Sequence, residues 1–297
     1  MGSIFDQDVS FCRVTFNGPA LFAGSIFTND SHFETANFLE DCDFLGANFS
    51  QNGFFNEANF QGFAYFPNAY FKNSADFESA IFAGNATFHD TIFIGRFVLD
   101  RTRFISMQLE DAWFGPESSL RLDDSDLIRS SSSSFWVSWD AIKKSLAPSG
   151  PVYLSLIRNF KNLEQFGDAD NCYYQYRKWR QDQTSWSEWS KYTDILAHWS
   201  CGYGVKPGFV LLWLIFLMAS FGFLFYELDG IKFESVPHSD EKASLEDACY
   251  YSLMVLVGAS VDLKPTGRYR YLIAVERISG WLLLALFIIT LAHIMIR

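Results

Sequence analysis

Phenylalanine recurs at a fixed interval through the first third of the chain. Two series each repeat every 11 residues, and they are offset from one another by alternating steps of 5 and 6 residues. The first series runs from Phe16 to Phe104, and the second runs from Phe11 to Phe88. A period held this long is typical of a solenoid, in which each unit buries its apolar residue only by stacking on its neighbours. The pattern therefore predicts a repeat domain over residues 1–115.

A small residue stands two positions before most of these phenylalanines, as Ala36 does before Phe38 and Cys42 before Phe44. Side chains alternate between the two sides of extended backbone, so residues two positions apart point the same way. Both the small residue and the phenylalanine are expected to face the interior of the solenoid.

These units resemble the pentapeptide-repeat family, whose repeat is approximately Ala-Asn/Asp-Leu/Phe-x-x. The matching units begin at Ala36, Ala47, Ala58 and Ala75. The resemblance implies a right-handed quadrilateral β-helix with the phenylalanines inside. The chain departs from the family by one extra residue in every second unit, which we place at a corner because an insertion there disturbs the inward alternation least.

Some members of that family mimic DNA and bind gyrase. Here the outward positions mix basic side chains, such as Lys72 and Arg101, with the acidic ones. We therefore favour an assembly or sensing module, with docking to a cytoplasmic protein partner or service as a spacer as the alternatives.

Residues 116–205 form a predicted helical connector. Ser130 to Ser134 mark a polar linker, a short helix follows Asp140, and residues 153–166 have apolar positions at helical spacing. Residues 168–194 then combine aromatic and basic side chains. This mixture suits a membrane interface, and packing on the repeat domain is the alternative.

Two long apolar segments follow, at residues 208–226 and 278–296. Each is close to the roughly 20 residues that cross a bilayer as a helix, so residues 206–297 are predicted to form a membrane domain that contacts the lipid bilayer. Lysine and arginine flank the outer ends of the two segments, whereas acids dominate between them. The charge bias predicts that both termini lie in the cytoplasm, at a prokaryotic inner membrane.

A third apolar stretch lies between these segments. Residues 245–257 read as a helix too short to span, and a turn of small residues follows. Such a re-entrant element is tolerated at membrane depth only where it lines water or protein. The arrangement resembles the two-transmembrane potassium-channel family, in which a pore helix points its C-terminal end at the ion path and four copies surround one pore.

The resemblance also implies a selectivity filter and a gating hinge. The filter would occupy Val257, Gly258, Ala259, Ser260, Val261 and Asp262, and the hinge would be Gly280. The family filter reads Thr-Val-Gly-Tyr-Gly-Asp, whose backbone carbonyls replace the hydration shell of potassium. Its second glycine, and with it an easy route to positive φ, is missing here. We expect a permeant monovalent cation but not a standard potassium filter.

Acidic residues are expected at the outer mouth of the pore. They are Glu234, Asp240, Glu241, Glu246 and Asp247. In a homotetramer they would concentrate cations at the entrance, whereas an ordinary solvated loop is the alternative interpretation.

Composition narrows the choice of function. The net charge of −11 argues against nucleic-acid binding by phosphate neutralisation. The five cysteines are scattered without a C-x-x-C pair, and no nucleophile, base and ligand set falls at motif spacing. The sequence therefore predicts neither an enzyme, a cofactor nor a metal site. It favours a homotetrameric cation channel, and the altered filter supports the alternative of a non-conducting, membrane-anchored scaffold.

Overall fold

The computed structural model describes residues 2–129, 133–228, 231–233, 244–259, 263–265 and 270–295. The chain divides into two compact units, Met1–Arg180 and Gln181–Arg297. The predicted connector, residues 116–205, falls on both sides of this division.

The first unit is a parallel β-solenoid of about five coils. Its strands, numbered in chain order, recur in four columns. The first column contains β1 (Ile4–Phe5), β5 (Ile26–Phe27), β9 (Asn48–Phe49), β13 (Tyr70–Phe71), β16 (Ile92–Phe93) and β19 (Trp113–Phe114), and the second contains β2 (Val9–Ser10), β6 (Ser31–His32), β10 (Gly53–Phe54), β14 (Ala75–Asp76), β17 (Arg96–Val98) and β20 (Ser119–Arg121). The third contains β3 (Thr15–Phe16), β7 (Asn37–Phe38) and β11 (Asn59–Phe60), the fourth contains β4 (Ala20–Leu21), β8 (Cys42–Asp43), β12 (Ala64–Tyr65) and β21 (Ser134–Trp136), and the longer β15 (Ile81–Thr87) and β18 (Arg103–Gln108) belong to both.

The pairing register shows why the sequence repeats as it does. Phe5 pairs with Phe27 and Phe16 pairs with Phe38, so one coil takes 22 residues, which is two 11-residue units. Steps of six residues, such as the step from Phe16 to Phe22, pass through a bend at residues 17–19. The extra residue of every second unit therefore lies at a corner, as expected.

The phenylalanines and the small residues before them fill the interior, which confirms the predicted inward face. Phe33 and Phe55 stack with centroids 4.8 Å apart and planes 2° apart, which matches the spacing of paired strands. Phe44, from the other series, meets Phe55 edge to face at 5.5 Å and 89°. Each central ring thus stacks along the axis and meets rings edge to face across it, two arrangements that aromatic quadrupoles favour.

Helices close the C-terminal end of this unit. They are α1 (Asp126–Arg129), α2 (Trp139–Ile142), α3 (Gly150–Asn162) and the first part of α4 (Phe166–Gln183). The buried Asn159 of α3 accepts a hydrogen bond from the Phe135 N–H at 3.0 Å and donates one to the Phe135 carbonyl at 2.7 Å. Because β21 is the last strand, α3 protects a backbone edge that would otherwise be open to further pairing.

The second unit is helical. It contains α5 (Trp189–Cys201), a 3-10 turn (Gly202–Gly204), α6 (Pro207–Glu227), α7 (Leu245–Val257) and α8 (Arg270–Met295), with the antiparallel pair β22 (Ile231–Phe233) and β23 (Leu263–Pro265). The segments Pro207–Glu227 and Tyr271–Ala292 are long and apolar enough to cross a membrane. The first agrees with the predicted span, whereas the second begins earlier than residue 278.

Candidate functional site

Helix α7 is packed closely between the two long helices. A Cβ atom added at Gly222 of α6 would lie 3.0 Å from the Cα atom of Cys249 in α7. A Cβ atom added at Gly280 of α8 would overlap the Leu256 side chain. Glycine on each flanking helix therefore permits the close approach of α7.

The N-terminal end of α7 is fixed by its own polar residues. Ser244 and Asp247 form a capping box, in which the Asp247 N–H donates to Ser244 Oγ at 3.1 Å and the Ser244 N–H donates to Asp247 Oδ2 at 3.0 Å. Glu246 also lies in the first turn, where the helix dipole favours negative charge. Asp247 therefore has a structural role in addition to the predicted one at the outer mouth.

The other three predicted outer-mouth acids are Glu234, Asp240 and Glu241, which lie outside the described residues. The structure thus places only the two acids of α7, and a role of all five at a pore mouth stays a prediction.

The C-terminal end of α7 is exposed and turns sharply. Gly258 adopts φ 77° and ψ 17°, a left-handed conformation that glycine tolerates without strain. The Ala259 N–H donates to the Met254 carbonyl at 2.9 Å, and Val257 is 71% exposed. Of the predicted filter residues, Ser260, Val261 and Asp262 lie outside the described residues.

A buried polar group joins all three helices. Glu276 of α8 is fully buried and its Oε1 atom is hydrogen-bonded to Ser252 Oγ of α7. The same Ser252 hydroxyl lies 3.0 Å from the Met218 carbonyl of α6. Ser252 has one hydroxyl proton, so both contacts are hydrogen bonds only if the Glu276 carboxyl group donates the other proton. Glu276 Oε2 has no hydrogen-bond partner among the described residues.

The sequence analysis missed Glu276 because it searched for runs free of charge and therefore started the second span after Arg277. The run Leu272 to Val275 that precedes Glu276 is apolar, and it was the available indication that this acid is embedded in a helix face. An acidic residue inside an apolar helix is costly unless it has partners and a role.

Gly280, the predicted gating hinge, lies in a continuous helix. Residues on both sides of it belong to α8, and it is buried against Leu256. The described contacts give Gly280 a packing role, and its role as a hinge stays a prediction.

An apolar groove opens beside Gly280. Its volume is about 450 Å³. It is lined by Leu214, Ile215, Met218, Leu253, Leu256, Val257, Gly280, Trp281 and Leu284. The groove reaches the C-terminal end of α7, so whatever covers it also contacts the segment that leads into the predicted filter.

The aromatic and basic region before the first span separates into two parts. In α4, Tyr173, Tyr176 and Trp179 pack against the hydrophobic core of the solenoid unit. In α5, the aromatic side chains face outward instead: Trp189 is 80% exposed and Trp199 is 67% exposed. The two interpretations of this region therefore apply to different helices, with α4 serving solenoid packing and α5 left available for a membrane interface.

Comparison with known proteins gives no match: no family model, no curated protein and no solved structure is significantly similar to the chain. The solenoid is consistent with pentapeptide repeats. Any functional conclusion depends on the residues and contacts of the chain itself.

Proposed function

We propose that the chain is one subunit of a homotetrameric cation channel in a prokaryotic inner membrane. In this proposal α7 is the pore helix, and both termini are cytoplasmic. The observation that carries it is the position of α7, a helix of 13 residues held between two helices of spanning length with its C-terminal end exposed.

Exposure of the long helices supports insertion into a membrane. Only 17% of the most apolar window of Pro207–Glu227 and 11% of that of Tyr271–Ala292 are buried within the chain. Helices this apolar in a soluble protein would be covered by the rest of the fold. Lipid and neighbouring subunits would cover them here, and the aromatic side chains of α5 would lie at the headgroup level.

The dipole of α7 supports a cation as the permeant species. The C-terminal end of a helix carries about half a negative charge, and in α7 it leads directly into exposed Val257 and Gly258. Four such ends around one axis would favour a cation there. The single left-handed glycine, in place of the two of the family motif, argues for a selectivity other than that of standard potassium channels.

The acids before and within the first turn of α7 would lie at the outer mouth in this arrangement. The repeat domain would form a right-handed quadrilateral β-helix in the cytoplasm, and the four strand columns support that form. Its function would be assembly or sensing, with a cytoplasmic protein as a further partner. No cofactor is required for conduction.

Planar-bilayer recordings test the proposal. Tetramers verified by cross-linking should carry current that reverses at the cation potential under potassium, sodium and chloride gradients. Gly258→Ala should change the selectivity or abolish the current, because alanine resists positive φ. Gly208→Ala is the matched control, since no atom lies within 4 Å of the added methyl group and the site is helical. Anion-selective current, or equal effects of the two substitutions, would refute the proposal.

The second candidate is a membrane-anchored scaffold that does not conduct. The missing Gly-Tyr-Gly of residues 257–262 favours it. Verified tetramers that carry no current under any of the three gradients would support the scaffold over the channel.

A further inference from the structure

Three side chains with metal-binding atoms meet on the outside of the first two solenoid coils. Cys12 follows β2, His32 lies in β6, and Glu34 lies in the turn after β6. The coil register brings them together, because Ser10 pairs with His32 and the next turn places Cys12 beside Glu34. The three residues are 20 or more positions apart only along the chain.

The distances suit a small ion. Cys12 Sγ donates to Glu34 Oε2 at 3.0 Å, and His32 Nδ1 lies 2.8 Å from Glu34 Oε1. One ligand atom from each residue lies within 4.8 Å of the other two. Sulfur, nitrogen and oxygen ligands at about 2.0 to 2.3 Å from a tetrahedral zinc ion lie roughly 3.4 Å from one another. Opening the two hydrogen-bonded pairs by about half an ångström would therefore admit the ion.

The solenoid holds these side chains in place. The His32 ring stacks on Phe54 of the next coil, with centroids 5.1 Å apart and planes 21° apart. Next to Cys12 and Glu34, the Arg13 N–H donates to the Glu34 carbonyl at 3.0 Å. A ligand set that is ordered before the metal arrives loses less conformational freedom on binding.

Charge also favours a cation at this point. Burial acts to raise the pKa of Glu34, but hydrogen bonds from His32 and Cys12 outweigh it and hold that pKa below its usual range. Glu34 is therefore a carboxylate at neutral pH. Cys12 is exposed, so its thiol can lose its proton to solvent when a metal binds.

We propose that Cys12, His32 and Glu34 form a zinc site, with water as the fourth ligand. Binding replaces the Cys12 S–H bond with a sulfur–zinc bond and releases that proton to solvent, without a change of oxidation state. A thiolate, an imidazole and a carboxylate together are a donor set that zinc takes up readily. The ion links the first coil to the second. This site goes beyond the proposed channel function and does not depend on it.

A second group on the same solenoid provides a comparison. His89, Asp90 and Asp111 also lie within 4.8 Å of one another, but this group contains no thiol, and both acids are exposed. It tests whether a histidine and carboxylates on this surface are sufficient to bind the ion.

Cobalt binding to the full-length chain in detergent tests the site, because a cobalt–thiolate bond gives a charge-transfer band in the near ultraviolet. We expect one equivalent of Co²⁺ to produce this band and Zn²⁺ to remove it. Cys12→Ser should abolish the band, and His32→Ala or Glu34→Gln should weaken Co²⁺ binding at least tenfold.

Two control variants should keep the band. Cys42 faces inward at a position where the paired strands have Ala20 and Ala64, so Cys42→Ala removes a thiol without disturbing the fold. His89→Ala removes the histidine of the comparison group. A wild-type chain without the band, a band that persists in Cys12→Ser, or equal losses in the controls would overturn the proposal.

Hydrogen exchange gives a second, independent measurement. Zn²⁺ should slow amide exchange in Thr15–Phe16 of the first coil of the wild-type chain but not of Cys12→Ser. Because Cys12 is exposed, that variant should retain the fold, and its exchange without metal should equal that of the wild type. Zinc-dependent protection that survives in Cys12→Ser would contradict the site.

Discussion

Truncation of one interior phenylalanine should strongly destabilise the solenoid. Phe66 is fully buried. It stacks on Phe44 at 4.8 Å and on Phe88 at 4.9 Å, and it meets Phe77 edge to face at 5.4 Å. Phe66→Ala removes all of these contacts at once, and the rigid strand ladders on either side prevent the cavity from collapsing.

The magnitude follows from burial and ring contacts. Phenylalanine to alanine changes in protein cores cost about 3 to 5 kcal/mol, and each well-placed aromatic pair adds roughly 0.5 to 1.5 kcal/mol beyond buried area. With stacked partners on both sides, Phe66→Ala belongs near the upper end, at about 4 to 5 kcal/mol. Since about 1.4 kcal/mol corresponds to a factor of ten, this is roughly a thousandfold change in an opening equilibrium.

Native-state hydrogen exchange with peptide resolution measures this change locally. The Phe44 N–H donates to the Tyr65 carbonyl at 2.7 Å, and the Phe66 N–H donates to the Thr87 carbonyl at 2.8 Å. These amides should exchange roughly a thousandfold faster in Phe66→Ala, because their exchange requires the coil to open. Amides of α6 in the second unit serve as the internal reference.

Phe63→Ala is the matched control, since Phe63 lies in the same coil but is 43% exposed. Surface substitutions of this kind usually change stability by only about 0.5 kcal/mol. If the two variants accelerated exchange equally, or if Phe66→Ala cost less than about 2 kcal/mol, the interior stack would not be the main source of stability.

Three further outcomes follow from the site and the solenoid. Gly280→Ala should disturb channel current through its clash with the Leu256 side chain, and Leu256→Ala should rescue it in the double variant; a defect that the second change leaves intact would indicate a hinge instead. Ser252→Ala should destabilise the second unit by about 1 to 3 kcal/mol, because it leaves the buried Glu276 without its described partner, whereas Glu276→Gln should cost less; thermal unfolding in detergent ranks them, and the opposite order would contradict the argument. Because the folded-state pKa of Glu34 lies below its ordinary value of 4.5, its ionised form stabilises the fold above pH 4.5 and this contribution is lost as the pH falls through the lowered pKa; the difference in thermal midpoint between wild type and Glu34→Gln in chelator should therefore shrink on acidification, and a difference that grew would refute the assignment.

Local and periodic features were predictable from the sequence. The Phe33 and Phe44 ladders were found because each inward position repeats at a constant interval, and α7 was found because its apolar run is bounded by acids and small residues. These features require only neighbouring residues or a fixed period.

Features that depend on distant residues were not predictable in the same way. Asn159 protects the last strand from a helix that has no repeat, and Glu276 is paired only because α7 lies against α8. Cys12, His32 and Glu34 show no motif in the sequence, since a 22-residue coil rather than sequence spacing makes them neighbours. The coil length was itself predicted, so superimposing the sequence on itself at 22 residues would have indicated this group.

The 22-residue register also determines how the solenoid can vary in length during evolution. Duplication or loss of one whole coil keeps every interior ladder in phase and changes the height by about 4.8 Å. A gain or loss of 11 residues would instead rotate everything beyond it by half a turn. Asn159 occupies the backbone of the final strand, so new coils are accommodated more easily before that strand than after it. The solenoid is thus a spacer whose length can change in whole steps while its helical end stays constant.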